Sequence, residues 1–290
     1  MVPDEPTSGV RLAEIVAALS LATDLGLGLP QEHVLRQTTI AMGLADAVGL
    51  PDESKVAAYY VSLLAWVGCI ADSNEMARWF GDDRQFRADS YYVDKTPLPM
   101  MRFLMQHVAS GESPLRRITM IGRFMVGGLG DASKALITHC QTTGDFALRL
   151  GLGPEVREPL QHAFERWDGK GSPGLCSGDE IDPVMRIVQI ADDAEVLHRL
   201  GGMDAAVEML RSRRGTEFDP AMVDAFCDHA DELMGPLEGA DAWDQVIAKA
   251  PTLGRELTED ELTDALEGFA DYADVRTPLR LGHSRGAATL

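Results

Sequence analysis

Positive charge is scarce in this sequence: 26 Lys and Arg stand against 46 Asp and Glu in 290 residues, a formal net charge of −20. That deficit excludes a broad grip on nucleic acid, which needs clustered cations to displace counterions from phosphates. It is equally unsuited to an anionic membrane surface. Long apolar runs are missing too. The longest, residues 61–71, falls well short of the about 20 residues that cross a bilayer. The opening stretch MVPDEPTSGV has neither a basic start nor an apolar core, so no signal peptide is expected and the expected location is cytoplasmic. Cys69, Cys140, Cys176 and Cys227 lie far apart with no CxxC pair. They read as reduced thiols rather than a disulfide or zinc framework. Alternating β-branched runs bounded by turn residues are almost absent, and aromatics make up only 6%.

What is present is helical periodicity in a chain that is 45% hydrophobic, rich enough to fold. Leu12, Ile15, Val16 and Leu19 recur at three- and four-residue spacings, the mark of a helix with one buried stripe. Further helices are expected over 31–48 and over 52–72, the latter apolar almost all round in its second half and therefore central. Residues 84–99, with two prolines, are expected to form a loop. Helices follow over 99–108, 114–126, 131–150, 154–166, 183–200, 203–213, 220–234 and 258–272. Ser113-Pro114 supplies a cap and a proline at the first helical position. The expected fold class is all-α.

Residues 167–180 (WDGKGSPGLCSGDE) hold the densest glycine cluster. The segment lacks GxxxxGK(S/T) and no strand precedes it, so it does not cradle phosphate. An ordered connector between helices is the plain reading, although the loop is long for a helical bundle. Around it runs a specific order of motifs. Glu165-Arg166-Trp167-Asp168-Gly169-Lys170-Gly171-Ser172-Pro173 leads to Gly174-Leu175 and then Gly178-Asp179-Glu180-Ile181. Arg186-Ile187-Val188, Ala191-Asp192 and Gly215-Thr216-Glu217-Phe218-Asp219-Pro220 follow. This order resembles the HD-GYP family, a branch of the HD metal-dependent phosphohydrolases. His33-Val34-Leu35-Arg36 stands where that family's first histidine opens a helix.

The resemblance implies an HD-domain-like helical bundle over 31–236, with a helical insertion at about 79–128. Residues 1–30 would form an N-terminal helix and linker, and 237–290 C-terminal helices. It also implies two-metal hydrolysis, in which paired cations lower the pKa of a bridging water. The departures are chemical. Ala65-Trp66 replaces the family's adjacent His-Asp, Cys69 stands where a lysine usually follows, and Ala163-Phe164 replaces a His-His pair. Gly-Tyr-Pro has become Gly171-Ser172-Pro173, and Glu195 falls where a second Asp is usual. Without a bridging carboxylate, two cations a few ångströms apart repel uncompensated. Unit charges at 4 Å already interact by ~4 kcal/mol at a dielectric of about 20, and divalent ions about four times more strongly. No cofactor is therefore expected; the alternative is a single divalent metal ion held by His33, His139 and Asp192. The bland alternative makes these a helix-start residue, an interface residue and a local hydrogen-bond acceptor.

No catalytic residue is assigned with an inactive site; an active one would use Glu165 or Asp168 to orient water, with Arg166, Lys170 and Arg186 near phosphates. Asp168 and Trp167 also suit a structural role in the glycine turn. Ala65, Trp66, Cys69, Phe164, Arg166 and Trp167 are candidate lining of a ligand pocket. Met100, Met101, Met105, Met120 and Met125 either line an adaptable apolar pocket or fill core, and Tyr91 and Tyr92 suit a pocket lip. Near the C-terminus, Asp274 precedes His283 by nine residues, as Asp24 precedes His33. That internal repeat suggests a second module of the same type from about 275, in a fragment or a truncated copy. The layout is similar to the HD-GYP-like region of actinobacterial LuxR-type regulators. The expected function is a catalytically silent sensory, ligand-binding or interaction module of a signalling or transcriptional regulator. The alternatives are a residual phosphodiesterase of cyclic dinucleotides or nucleotides, and a structural dimerisation domain. Expected partners are a small molecule or a protein, with self-association, and neither nucleic acid nor membrane.

Overall fold

The computed structural model describes residues 7–237, 239, 241–251, 256–275 and 278–289. The apolar spacings become helices α1 (Leu12–Leu27), α2 (His33–Ala47) and α3 (Asp52–Leu64). Then come α4 (Ser73–Phe80), α5 (Asp83–Ser90), α6 (Pro97–His107) and α7 (Pro114–Arg123). A π turn, Phe124–Gly128, carries α7 into α8 (Leu129–Arg149), and α9 (Pro154–Leu160) leads to the glycine loop. After it run α10 (Pro183–Arg213), α11 (Pro220–Asp228) and α12 (Ala230–Met234), then α13 (Ala242–Ala248), α14 (Glu259–Val275) and α15 (His283–Ala288). The fold is all-α. Among the described residues, no single helix is long and apolar enough to cross a membrane.

Helix α2 sits at the centre because it is apolar on two sides. Val34, Leu35 and Met42 join one core, built with α1, α3, α9, α13 and α14. Ile40, Ala41, Leu44 and Ala45 face a second, built with α10, α11 and α12. A third and smaller core lies under α4 to α8: Phe124 meets Trp79 and Phe80 edge-on, and Phe86 stacks on Phe80. Each fully buried Leu or Phe contributes roughly 1.5–3 kcal/mol. The third core has few such residues, so α4 to α7 are more lightly anchored than α2 and α3.

Three expectations need correction. The helix expected over 52–72 ends at Leu64, and a 3-10 turn, Val67–Ile70, replaces its last part. The cause is close approach: a Cβ on Gly68 would lie 2.5 Å from the His139 carbonyl oxygen, so only glycine lets this turn meet α8. The expected loop at 84–99 contains α5, started by Asp82, whose carboxylate accepts the Arg84 and Gln85 N–H groups. Finally, two short strands exist. β1 (Thr7–Arg11) pairs antiparallel with β2 (Glu256–Thr258) and ties the start of the described chain to the segment that leads into α14.

The two Asp-to-His segments are alike at their described ends. Val34 N–H donates to Asp24 at 3.1 Å, and Ser284 N–H donates to Asp274 at 3.0 Å. The residue before each histidine is left-handed, Glu32 at φ 70° and Gly282 at φ 80°. In the first segment Asp24 is fully buried, and that burial pushes its pKa up to about 6.

Candidate functional site

The start of α2 and the middle of α10 meet at a buried ion cluster. His33 Nε2 lies 2.9 Å from Asp192 Oδ1, and Nδ1 lies 2.7 Å from Glu195 Oε2. Burial alone would lower the imidazole pKa, but the two carboxylates outweigh it and hold His33 at about 10. Glu195 is in turn gripped by Arg36 at 2.6 Å and Arg199 at 2.5 Å. Burial would raise its pKa; His33 and Arg199 bring it down to about 2 instead. The Tyr91 hydroxyl donates to Asp192 at 3.2 Å. One position along α10, Asp193 binds Lys95 and Arg213, each at 3.1 Å, and both cations also reach Glu217.

His139 belongs to a different cluster. Its Nε2 donates to the Ala65 carbonyl oxygen at 2.7 Å, and Nδ1 lies 3.5 Å from Asp72. Asp72 also pairs with Arg87, whose Nη1 reaches Cys69 Sγ at 3.2 Å. Phe164 packs edge-on against the His139 ring at 4.9 Å between centroids, and Trp66 tilts against both rings. The indole N–H of Trp66 donates to Gln37. So the structure brings His33 and Asp192 together but does not bring His139 to them. A fully dressed two-metal site needs several imidazoles and bridging carboxylates. Here Trp66 and Phe164 lie beside His139, and both ring nitrogens of His33 and Nε2 of His139 already face protein acceptors. This donor set does not fit a dinuclear centre.

Beside the cluster lies a cavity of about 420 Å³. Trp66, Phe164 and Met76 form part of its apolar wall, and Phe86, Met100 and Phe103 from α5 and α6 complete that side. Its polar lining includes Asp192, Asp193, Lys95, Arg166 and Glu217, most of them already paired with one another. Of the expected lining residues, Trp66, Cys69, Phe164 and Arg166 face the cavity. Ala65 and Trp167 do not line it. Ala65 gives its carbonyl to His139, and Trp167 lies under the Arg186 guanidinium, 5.6 Å from ring centroid. Met100 lines the cavity, whereas Met105 and Met120 pack on the third core. Tyr91 lines it and Tyr92 is exposed. Lys95, Arg87, Phe86 and Phe103 went unnoticed in the sequence, where only the methionines from Met100 on and the pair Tyr91 and Tyr92 pointed to a pocket in this stretch.

The glycine loop closes one edge of the cavity through Lys170, Gly171 and Ser172. Glu165 holds it by accepting the Gly174 N–H at 3.0 Å and the Leu175 N–H at 2.8 Å. Asp168 accepts two parallel bonds from Arg166, each 3.0 Å, and one from the Lys170 N–H. Backbone bonds from Trp167 to Glu217 and from Asp168 to Thr216 fasten the loop to the turn after α10. His162 Nδ1 accepts the Asp182 N–H and so caps this connection from outside.

No family model matches the chain. It is 23% identical over 281 residues to the 3′3′-cGAMP-specific phosphodiesterase 3 of Vibrio cholerae, covering 96% of this chain and 61% of the relative. The crystal structure of a cyclic GMP-AMP-specific phosphodiesterase from the same organism superposes with a TM-score of 0.73 at 22% identity. That match covers 95% of this chain and 63% of the other. The chain thus spans less than two thirds of the length of these relatives. At this level of identity the likeness establishes the architecture: the chain has the helical fold seen in a bacterial cyclic-dinucleotide phosphodiesterase.

Proposed function

We propose that this chain is a degenerate HD-GYP-like unit that binds a small molecule instead of turning over a phosphodiester. One observation carries the reading: the cavity beside His33 and Asp192 has an aromatic and methionine wall, while its charged groups neutralise each other within the protein. A ligand with a large apolar or aromatic body gains from such a wall, because burial contributes roughly 25 cal/mol per Å². A phosphate would have to break the Lys95–Asp193–Glu217–Arg213 network, or draw Arg166 and Lys170 away from Asp168, to find a cation. The regulatory setting, a signalling or transcriptional protein, rests on the order of motifs between Glu165 and Pro220. The likeness at the ends of the two Asp-to-His segments supports reading the segment from about 275 as the opening of a second copy of the same module.

Hydrolysis of a cyclic dinucleotide is the second reading, and the 3′3′-cGAMP phosphodiesterase activity for which the Vibrio cholerae relative is named favours it. The nearest donors to a single divalent ion would be His33 and Asp192, with Tyr91 behind Asp192. Glu165 and Asp168, the groups that would orient water, are committed to loop N–H groups and to Arg166. The likeness to the relative favours hydrolysis, and the side chains around the cavity favour binding. Chelator-treated protein reloaded with Mn²⁺ or Mg²⁺ and assayed on 3′3′-cGAMP separates the two. We expect no turnover. A thermal-shift screen of aromatic small molecules should find one that raises the midpoint, since a ligand at 100 times its Kd adds about 2.7 kcal/mol. Metal-dependent turnover that disappears in His33→Gln and Asp192→Asn would overturn the binding reading.

A further inference from the structure

Two polar atoms left open beside the cavity next to His33 are both acceptors. Asp192 lines that cavity and is 5% exposed. Its Oδ1 takes two hydrogen bonds, from His33 Nε2 at 2.9 Å and from the Tyr91 hydroxyl at 3.2 Å. None of the described residues donates to Oδ2, and this oxygen is not sealed in the protein as the Oδ2 atoms of Asp24, Asp72 and Asp83 are. Gln189 lines the same cavity three residues earlier on α10. Its Nε2 donates to the carbonyl oxygens of His162, Ala163 and Glu165. Those bonds fix which way the amide points and leave Oε1 with no donor among the described residues.

The cations on the cavity wall have no such opening. Arg87 pairs with Asp72, Lys95 with Asp193 and Glu217, and Arg166 with Asp168. Lys170, on the glycine loop, is largely in water and 3.6 Å from Asp168. A buried carboxylate with an open oxygen gains from an N–H or O–H donor, because hydrogen bonds to charged groups are the stronger kind. A ligand anion would instead meet Asp192, Asp193 and Glu217 on that wall. A cation would meet His33 on the same carboxylate and the field of Lys95 beside it. The charge balance therefore selects a neutral donor.

We propose that the ligand is an uncharged aromatic molecule that donates two hydrogen bonds from one edge, to Asp192 Oδ2 and Gln189 Oε1. This rests on the small-molecule reading above and gives that molecule its chemistry. Residues three apart share a helix face and stand about 4.5 Å apart along its axis. Two hydroxyls meta to each other on one ring match that spacing. The rest of the ligand, a second ring, then packs on Trp66, Phe164 and Phe103, which line the apolar side. The cavity's 420 Å³ falls within the range of small-molecule pockets.

Calorimetric titration of the full chain with a matched set of biphenyls tests the proposal. 3,5-Dihydroxybiphenyl offers two donors, 3-hydroxybiphenyl one, 3,5-dimethoxybiphenyl none, and biphenyl-3-carboxylate a negative charge. Affinity should fall roughly tenfold with each donor removed, and the carboxylate should bind no better than the dimethoxy compound. Met100→Trp, which fills the cavity from α6, should abolish binding of the diol. Asp192→Asn turns an N–H toward the cavity, so it should reverse the order and favour the dimethoxy compound; circular dichroism checks that it folds. The wild-type series decides the matter even where that variant does not fold. A dimethoxy compound or carboxylate that binds as tightly as the diol would overturn the donor proposal and leave aromatic binding standing. So would diol binding that survives Met100→Trp. Absence of binding by every member at 1 mM would overturn the small-molecule reading and this proposal with it.

Discussion

Replacing His33 by glutamine should change both the stability of the bundle and the way that stability depends on pH. In the folded chain His33 is held at about 10, against an ordinary 6.5, by Asp192 and Glu195 acting against burial. Between those values the folded state binds more protons than the unfolded one, so stability falls as pH rises. The slope is up to about 1.4 kcal/mol per pH unit. The contribution is complete below about pH 6.5 and gone once the pH passes about 10. Its side chain is only 1% exposed, so solvent screening does not discount the interaction. Breaking a buried pair of this kind costs roughly 3–5 kcal/mol, which matches the size of the shift. His139 is also held at about 10, with Cys69 and Asp72 overcoming burial, and adds a similar limb. Urea titrations of chelator-treated wild type and His33→Gln from pH 6 to 9.5, followed by tryptophan fluorescence, measure the difference. The variant should be about 3–5 kcal/mol less stable at pH 6 and lose about half the alkaline slope, so that the two curves approach each other near pH 9.5. An unchanged slope in the variant would refute the assignment of the charge to His33. On the acid side Glu195, held at about 2, contributes stability that is present above about 4.5 and lost toward pH 2. That limb should shrink in the variant, yet survive in part because Arg36 and Arg199 remain.

Gly68→Ala should cost about 1–3 kcal/mol by urea midpoint at pH 7, because the new methyl meets the His139 carbonyl oxygen at 2.5 Å and Thr143 Oγ1 at 2.6 Å. A change below about 0.5 kcal/mol would show that the 3-10 turn and α8 are not pressed together as described. Glu165→Ala should leave two loop N–H groups without their charged acceptor and cost about 1.5–3 kcal/mol. Amide exchange at Gly174 and Leu175 should speed up far more than exchange in α10, and equal acceleration in both would point to global loosening instead.

Local patterns carried the helices. The periodicity of α1 and α2, the Ser113-Pro114 start of α7 and the connector role of the glycine loop all depend on neighbours in sequence. The short α5 escaped because its one clear signal, Asp82 after a glycine, was outweighed by two prolines further on. The end of α3 escaped for a different reason. Its apolar residues continue in helical spacing to Cys69, and only the approach of α8 to Gly68 turns the chain. The candidate site was legible to the extent that it depends on side-chain identity. Trp66 and Phe164 stand where the resemblance puts metal ligands, and both line the cavity. Position was harder. His139 and Asp192 are both buried, and burial alone does not reveal that the one turns toward the Ala65 carbonyl, a group that no sequence pattern displays. Nor does it reveal that Lys95 crosses 98 residues of chain to reach Asp193. That pairing decides the chemistry more than any motif does. An unpaired Lys95 at the cavity floor would make the pocket an anion site. Bound between two carboxylates and beside Arg213, it leaves the aromatic wall as the surface with free energy still to gain.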